Sequence, residues 1–180
     1  MILHLVRHGQ STWNLQRRLQ GQTVDVPLTD LGHAQAHAAA AGLVGRRITA
    51  IWSSDQVRAL QTAGAISDVL GVPVQACAAL REQALGRLEG LSYDDLTEEP
   101  VPDGAHLSEV RWGGGESVRD VHGRLSGFVA GLAPTDGEVV LVSHGDTLRI
   151  LLAVLAGRGH RDVEWLEFGN GEVRTVEVAR

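Results

Sequence analysis

The chain has 180 residues, the length of one domain large enough to bury a substantial core. Its net charge of -6 is spread along the sequence without a basic block, so we expect no nucleic-acid partner. A single cysteine, Cys77, excludes a disulfide framework and a cysteine-based metal site. No segment has the pattern of a signal peptide or approaches the roughly 18 apolar residues of a membrane helix. We therefore expect a single domain over residues 1–180, cytoplasmic and without membrane contact.

The first predicted element is a buried strand over residues 2–6, which are apolar except for His4. Gly9 marks the break after this strand. Arg7 and His8 therefore stand at its carboxyl end, where open α/β sheets place their ligands. An imidazole beside a guanidinium suits phosphoryl transfer, because the histidine can attack phosphorus while the arginine clamps the phosphoryl oxygens.

A polar segment follows over residues 11–22 and is predicted to be a loop or short helix above this strand end. Thr29 is a good cap for a helix that runs to about residue 44 and ends at Gly45. The spacing predicts an apolar face made of Leu31, Ala34, Ala38 and Ala41. His33 and His37 lie four residues apart on this helix, a spacing that can hold a metal. Because no acidic or cysteine ligand accompanies them, we interpret them as a solvated face and expect no metal site.

A second buried strand is predicted over residues 48–52, and Ser53, Ser54 and Asp55 are residue types that cap the helix after it. Arg58 lies in the first turn of that helix. The helix macrodipole opposes a cation at this position unless an anion compensates it. We therefore expect Arg58 to lie beside a bound dianion.

A third short strand is predicted over residues 72–76, and the least regular part of the chain follows over residues 92–115. Long loops in compact domains are often binding loops. We predict that this segment selects the substrate, with Arg111 meeting a second anionic group and Trp112 covering an apolar or ring face. The alternative is a loop that is merely solvated.

A second histidine at a predicted strand end occurs in the second half of the chain. After a helix capped by Ser117, an apolar strand over residues 139–142 leads to His144 and Gly145, and a buried helix follows. A second histidine and glycine at a strand end is unlikely by accident, so His8 and His144 are predicted to share one site. Residues 165–168 and 173–178 flank a Gly-Asn-Gly sequence and are predicted to form a hairpin at the sheet edge.

These motifs, in this order, resemble the histidine phosphatase superfamily, the phosphoglycerate mutase-like proteins. The matching segments are Arg7-His8-Gly9 with Asn14, residues 28–32, Ser53-Ser54 with Arg58, residues 82–90, residues 114–117 and residues 142–145. The resemblance spans nearly the whole chain. It implies an α/β fold, a three-layer α/β/α sandwich around a mostly parallel central sheet.

The resemblance also implies a role for individual residues. His8 becomes the nucleophile, Glu82 the proton donor, and Arg7, Arg58 and His144 the phosphate pocket. Glu89 is a rival of Glu82 for the proton donor. The expected substrate contacts are Asn14, Ser11, Gly145 and Arg111. Because the cationic side chains can stabilise phosphoryl transfer by themselves, no metal or other cofactor is expected.

The expected substrate is a small phosphorylated metabolite, and the resemblance leaves three functions to weigh. A phosphatase passes the phosphoryl group to water, whereas a mutase returns it to another oxygen of the substrate. The cofactor-dependent mutases of this family are longer over the active site than this chain is, which favours a phosphomonoester hydrolase with a phosphohistidine intermediate. A catalytically inactive phosphate-binding module is the third function, and the complete catalytic set argues against it. Whether the chain forms a homodimer is left open.

Overall fold

The computed structural model describes residues 1–97, 99–133 and 135–178 of the chain. Its centre is a single sheet made of strands β1 (Ile2–Arg7), β2 (Ile48–Ser53), β3 (Val74–Ala76), β4 (Glu138–Ser143) and β5 (Val173–Glu177). The strand order is β3-β2-β4-β1-β5. The first four strands are parallel, and β5 runs antiparallel to β1 at the edge.

Helices cover both faces of this sheet. They are α2 (Asp30–Gly42), α3 (Val57–Leu70), α4 (Val118–Gly131) and α5 (Gly145–Leu155), whereas the short helix α1 (Thr12–Leu15) buries none of its residues. One core cluster joins β1, β2 and β4 to α2 and α3, and another joins β1 and β4 to α4 and α5. The predicted three-layer α/β/α sandwich with a mostly parallel sheet is therefore confirmed.

The central strands β1 and β4 are buried on both faces, which explains their continuous apolar sequences. His4 interrupts the first of them and is itself 1% exposed. Its ring is satisfied on both sides, since Nδ1 lies 2.9 Å from Thr175 Oγ1 and Nε2 lies 2.5 Å from Glu138 Oε2. A buried polar side chain is tolerated when its hydrogen bonds are made in this way.

The predicted apolar face of α2 is wrong. The residues that the helix buries are Gly32, Ala36, Ala39 and Ala40, whereas Leu31 is 53% exposed. Alanine occurs on every side of this helix, so spacing alone does not fix its rotation. A close backbone approach does: a Cβ on Gly9 would lie 2.2 Å from the carbonyl oxygen of Gly32. The absence of side chains at both glycines lets the helix start lie against the end of β1.

The helix α3 begins at a different cap from the one predicted. Its cap residue is Gln56, which makes no side-chain capping hydrogen bond. The predicted capping side chains are engaged elsewhere, because Ser54 Oγ lies 2.8 Å from Nε2 of His144 and Asp55 forms a two-point ion pair with Arg81. These polar residues therefore support the end of the sheet instead of the helix.

The predicted hairpin at the carboxyl end of the chain is also wrong. Residues 165–168 form no strand, and β5 pairs with β1 instead. The Gly-Asn-Gly turn that precedes β5 contacts the carboxyl end of β1. Gly171 N donates to the carbonyl oxygen of Arg7 at 3.0 Å, and Asn170 Nδ2 donates to the carbonyl oxygen of His8 at 3.1 Å. Tertiary pairing thus overrides the local hairpin signal.

The irregular segment over residues 92–115 contains short 3-10 turns at Tyr93–Asp95, Leu107–Glu109 and Trp112–Gly114. Glu98 in this segment lies outside the described residues, as does Pro134 after α4. His33 and His37 are exposed on α2, as predicted. Among the described residues, no helix is both long enough and apolar enough to cross a membrane, and no three potential metal-ligating side chains cluster.

Candidate active site

The carboxyl ends of β1, β2 and β4 meet at one edge of the sheet, and a polar pocket of about 260 Å³ opens above them. Most of the residues predicted for the site line this pocket. They are Arg7, His8, Asn14, Arg58, Glu82 and Gly145. Residues that lie far apart in the sequence are therefore brought together, as the two strand-end histidine motifs predict.

His8 is held as a neutral imidazole with a defined tautomer. Its Nδ1 lies 2.7 Å from the carbonyl oxygen of Gly9. A carbonyl oxygen only accepts hydrogen bonds, so Nδ1 carries the proton and Nε2 keeps its lone pair. Burial, then the charges of Arg58 and Arg7, lower the pKa of His8 well below its usual value. The histidine at the end of β1 thus has an unprotonated Nε2, the state that a nucleophile requires.

His144 lies directly beside His8, with the two ring centroids 5.0 Å apart. It does not line the pocket wall and is completely buried. Its Nε2 lies 2.8 Å from Ser54 Oγ, and burial, followed by the charge of Arg58, lowers its pKa well below the usual value. In the free protein both histidines are therefore neutral at neutral pH.

Arg7 and Arg58 are anchored by backbone carbonyl oxygens. Arg7 Nη1 donates to Phe168 at 2.5 Å, and the two Nη atoms of Arg58 donate to Thr23 and Gly21 at 2.9 Å. Burial lowers the pKa of Arg58 to about 10, so the guanidinium stays charged at neutral pH. Arg58 therefore ties the loop after α1 to the first turn of α3.

Three buried nitrogens of this site have no hydrogen-bond partner within the described residues. They are Arg7 Nε, Arg58 Nε and His144 Nδ1. An unsatisfied buried polar atom costs about 1–3 kcal/mol, more for a charged group, so proteins rarely leave one without a purpose. An anion with several acceptor oxygens is a ligand that suits such a set of nitrogens.

Glu82 lines the pocket with its carboxylate at the amino end of α5. Its Oε1 accepts hydrogen bonds from Thr147 N, Thr147 Oγ1 and Gln83 N at 2.9–3.1 Å, whereas Oε2 accepts one from Asp146 N at 3.4 Å. Oε2 is thus the oxygen with capacity left to hold a proton. Its rival Glu89 is not among the pocket-lining residues, because its carboxylate accepts from the backbone of Gln22 and Leu85 instead.

The backbone around Glu82 is held by the ion pair between Arg124 and Glu116, which the Gly-Gly-Glu-Ser motif does not predict. Arg124 pairs with Glu116 at 2.9 Å and donates to the carbonyl oxygen of Glu82 at 3.1 Å. Glu116 also accepts from Ala84 N at 3.0 Å. The glutamate of the Gly-Gly-Glu-Ser motif is therefore a positioning residue for the segment that carries Glu82.

Two predicted substrate contacts do not reach the pocket. Ser11 is completely buried and caps α1 through its bond to Asn14 N at 3.1 Å. Arg111 has a side chain that is 64% exposed and pairs with Asp120 at 2.9 Å, and it is absent from the pocket lining. Asn14 does line the pocket, and its Nδ2 makes no hydrogen bond within the described part of the chain.

The structure adds two charged residues that sequence reasoning missed. Asp146 and Arg149, both from the first turns of α5, line the pocket and pair with each other at 2.5 Å. Burial, followed by the neighbouring carboxylate of Glu82, raises the pKa of Asp146, while Arg149 opposes that rise. The sequence does contain a sign of this pair: Asp146 follows His144 by two residues, and Arg149 follows Asp146 by three, in a helix that is otherwise mostly apolar.

The fold and the pocket define a class of phosphoryl-transfer proteins in which a buried histidine at a parallel strand end faces two arginines and a carboxylate. Comparison with known sequences identifies the family. The sequence model described as "Histidine phosphatase superfamily (branch 1)" matches residues 3–180. The chain belongs to this superfamily, and the predictions of the family and of a phosphoric monoester hydrolase are confirmed.

Similar proteins include both phosphatases and mutases. A glucosyl-3-phosphoglycerate phosphatase of Mycolicibacterium vanbaalenii is 41% identical, over 86% of this chain and 74% of that protein. A probable phosphoglycerate mutase GpmB of Yersinia pestis is 37% identical with the same coverage.

Solved structures agree with the fold. A mycobacterial glucosyl-3-phosphoglycerate phosphatase in complex with VO3 has a TM-score of 0.85 at 33% identity and covers 98% of this chain and 92% of its own. A phosphoserine phosphatase from Entamoeba histolytica in complex with 3-phosphoglyceric acid has a TM-score of 0.81 at 27% identity, with coverage of 97% and 89%.

Proposed function

We propose that the pocket above β1 hydrolyses a small phosphomonoester in two steps, with His8 as the nucleophile. The observation that carries this proposal is the hydrogen bond from His8 Nδ1 to the carbonyl oxygen of Gly9, which leaves a lone pair on Nε2. In the first step this lone pair attacks phosphorus, the ester P–O bond breaks, and the leaving oxygen takes a proton from Glu82. The free alcohol departs and a phosphohistidine remains.

In the second step, Glu82 is a carboxylate and acts as the base. It takes a proton from water, the water oxygen attacks phosphorus, and the P–N bond breaks. Inorganic phosphate leaves, the lone pair returns to Nε2 of His8, and Glu82 is protonated again. One carboxylate therefore serves as acid and then as base.

The phosphoryl group in both steps is stabilised by positive charge that is already in place. Arg7 and Arg58 are fixed by backbone carbonyl oxygens, so little reorganisation accompanies the reaction. Asn14 contributes a neutral amide donor. His144, beside His8, can gain a proton when a dianion binds, because a nearby negative charge favours the protonated imidazole.

The experiment that tests this proposal is trapping of the intermediate. Brief incubation with a 32P-labelled phosphomonoester and an alkaline quench should give an acid-labile label on the protein, and His8→Ala should abolish it. His37→Ala, which removes an exposed histidine of α2, is the matched control and should label like the wild type. A label that persists on His8→Ala would exclude His8 as the nucleophile.

A mutase function needs a separate measurement, since a mutase would form the same adduct. With 3-phosphoglycerate as substrate, we expect release of inorganic phosphate to exceed conversion to 2-phosphoglycerate. Faster conversion than release would assign this chain to the mutases, which are also among its relatives.

A further inference from the structure

A second cleft, of about 390 Å³, adjoins the phosphate pocket and shares Leu85 and Asp146 with it. We call it the tryptophan cleft, because Trp112 and Trp165 both line it. The polar residues that line it include His106, Ser108 and His160. Nothing in the hydrolytic mechanism uses these three side chains.

The three polar side chains form one hydrogen-bonded chain. Ser108 Oγ lies 2.7 Å from Nδ1 of His106 and 2.8 Å from Nδ1 of His160. The backbone N–H of Ser108 also donates to Nδ1 of His106 at 3.2 Å, so this nitrogen is an acceptor. Ser108 Oγ therefore donates its proton to His106 and accepts one from Nδ1 of His160.

This assignment fixes the other nitrogen of each neutral ring. Nε2 of His106 carries a hydrogen, and Nε2 of His160 carries a lone pair. Both histidines line the cleft, so they bring one donor nitrogen and one acceptor nitrogen to its wall, the latter 4.0 Å from Oε1 of Glu109. A hydroxyl group is both donor and acceptor, so hydroxyl groups match this pair.

The charges around the cleft favour an uncharged ligand group over a second anion. Burial lowers the pKa of His160, although the carboxylate of Glu109 opposes this shift. Arg161 also lines the cleft, but its guanidinium is paired with Glu109 at 2.8 Å. Tryptophan rings bind the apolar C–H faces of sugar rings well, whereas a short acyclic chain gives them little surface to cover.

We propose that the tryptophan cleft binds the leaving group of the substrate, and that this group carries a hydroxylated ring, as in a sugar phosphate. The proposal rests on the proposed hydrolysis at His8. Its geometric basis is that the two cavities share Leu85 and Asp146 as lining residues, and that the backbone N–H of Asp146 donates to Oε2 of Glu82 at 3.4 Å. A leaving oxygen protonated by Glu82 is then at the entrance to the cleft. The volume of the cleft also falls within the usual range of small-molecule sites, about 300–1,000 Å³.

The test compares a ring substrate with an acyclic one. The wild type should hydrolyse glucose 6-phosphate with a kcat/KM at least about tenfold above that for glycerol 3-phosphate. Trp165→Ala and Ser108→Ala should raise KM for glucose 6-phosphate by about tenfold, leave kcat unchanged, and leave both constants for glycerol 3-phosphate unchanged. Trp165 is 57% exposed, so its removal does not threaten the core. Leu31→Ala, at an equally exposed apolar residue on α2, is the control.

Equal losses for the two substrates would overturn the proposal, as would a wild type that does not prefer the sugar phosphate. Binding to His8→Ala, measured by calorimetry, separates this proposal from the proposed function. Tighter binding of glucose 6-phosphate than of glycerol 3-phosphate, lost on adding Trp165→Ala, supports the cleft even if no phosphomonoester is turned over. Equal binding of the two ligands would overturn it.

Discussion

The imidazole rings of His8 and His144 lie edge to face, with centroids 5.0 Å apart and ring planes at 61°. Both rings are buried, and each has a different fixed partner: the carbonyl oxygen of Gly9 for His8 and the hydroxyl of Ser54 for His144. Two neighbouring imidazoles that face Arg7 and Arg58 cannot both be protonated without a compensating anion. In the ligand-free site both histidine rings are therefore neutral.

This arrangement predicts a stability that falls on acidification. Both folded pKa values are lowered below the unfolded value, which is about 6.5, so the unfolded chain binds protons first as the pH drops. Above that pH the two groups contribute nothing to the pH dependence. Below it, each histidine costs up to about 1.4 kcal/mol per pH unit until its folded pKa is reached.

Urea unfolding of the ligand-free protein between about pH 7.5 and 5.5 measures this slope. His144→Asn should make it shallower by nearly one proton, whereas the exposed His37→Asn should leave it unchanged. An identical slope in His144→Asn and the wild type would show that folding does not lower the pKa of His144.

The sequence predicts the layers and the edge of the sheet that carries the site because both depend on strong local patterns. The continuous apolar strands β1 and β4, each followed by histidine and glycine, place His8 and His144 at one edge regardless of what surrounds them. The rotation of α2 was not predictable, because its face is set by a backbone contact between Gly9 and Gly32 and not by hydrophobicity.

The sequence also could not predict the tertiary contacts of several polar residues. Asn170 sits in a turn that resembles an ordinary hairpin connection, yet it donates to the carbonyl oxygen of His8. Arg149 looks like a surface charge on α5, yet it lines the pocket above β1. Arg111 looks available in a loop, yet Asp120 of α4 pairs with it. For Asn170 and Arg111 the deciding partner lies far away in the sequence or on a neighbouring element.

The close approach of α2 to β1 predicts a specific effect at Gly32. A Cβ there would lie 2.0 Å from the carbonyl oxygen of Gln10, and backbone cannot yield as a flexible side chain does. Gly32→Ala should therefore destabilise the protein by at least about 1–3 kcal/mol, the usual cost of overpacking, and reduce activity. Thermal unfolding and hydrolysis of p-nitrophenyl phosphate measure the two effects.

Gly42 of the same helix provides the matched control, because a Cβ on it meets no atom within 4 Å. Gly42→Ala should be neutral or stabilising by up to about 1 kcal/mol, as helix propensity predicts. A Gly32→Ala protein as stable as Gly42→Ala would refute the contact as the determinant of the helix position.

The unequal hydrogen bonding of the Glu82 oxygens predicts a leaving-group dependence. Glu82→Gln keeps an acceptor for Thr147 but cannot transfer a proton. Under single-turnover conditions, the rate of phosphorylation by an alkyl phosphate should fall by about 10²–10⁴. With p-nitrophenyl phosphate, whose leaving group needs little protonation, the same step should be affected much less.

Glu89→Gln tests the rival carboxylate with the same chemical change. Since Glu89 binds backbone N–H groups outside the pocket, this substitution should not discriminate between the two leaving groups. Equal losses for both substrates in Glu82→Gln, or a leaving-group dependence in Glu89→Gln, would move the proton donor away from Glu82.

The last prediction contrasts Arg149 with Arg111 as the residue that meets a second anionic group on a substrate. An arginine with this role has to face the pocket, and Arg149 does so with a side chain that is 19% exposed. It is held by Asp146 through Nη1 and by the carbonyl oxygen of Leu166 through Nε, and its Nη2 has no hydrogen bond within the described residues. A charge-assisted hydrogen bond from this nitrogen contributes about 1.5–3 kcal/mol.

Two substrates that differ at one group measure this contribution: 3-phosphoglycerate carries a carboxylate where glycerol 3-phosphate carries a hydroxymethyl group. Arg149→Gln should lower kcat/KM for 3-phosphoglycerate by about tenfold or more relative to glycerol 3-phosphate, since about 1.4 kcal/mol is a factor of ten. Arg111→Gln should change neither value, because its side chain is 64% exposed and its guanidinium is already paired with Asp120. A selective loss in Arg111→Gln, with none in Arg149→Gln, would mean that the irregular segment moves over the pocket when substrate binds.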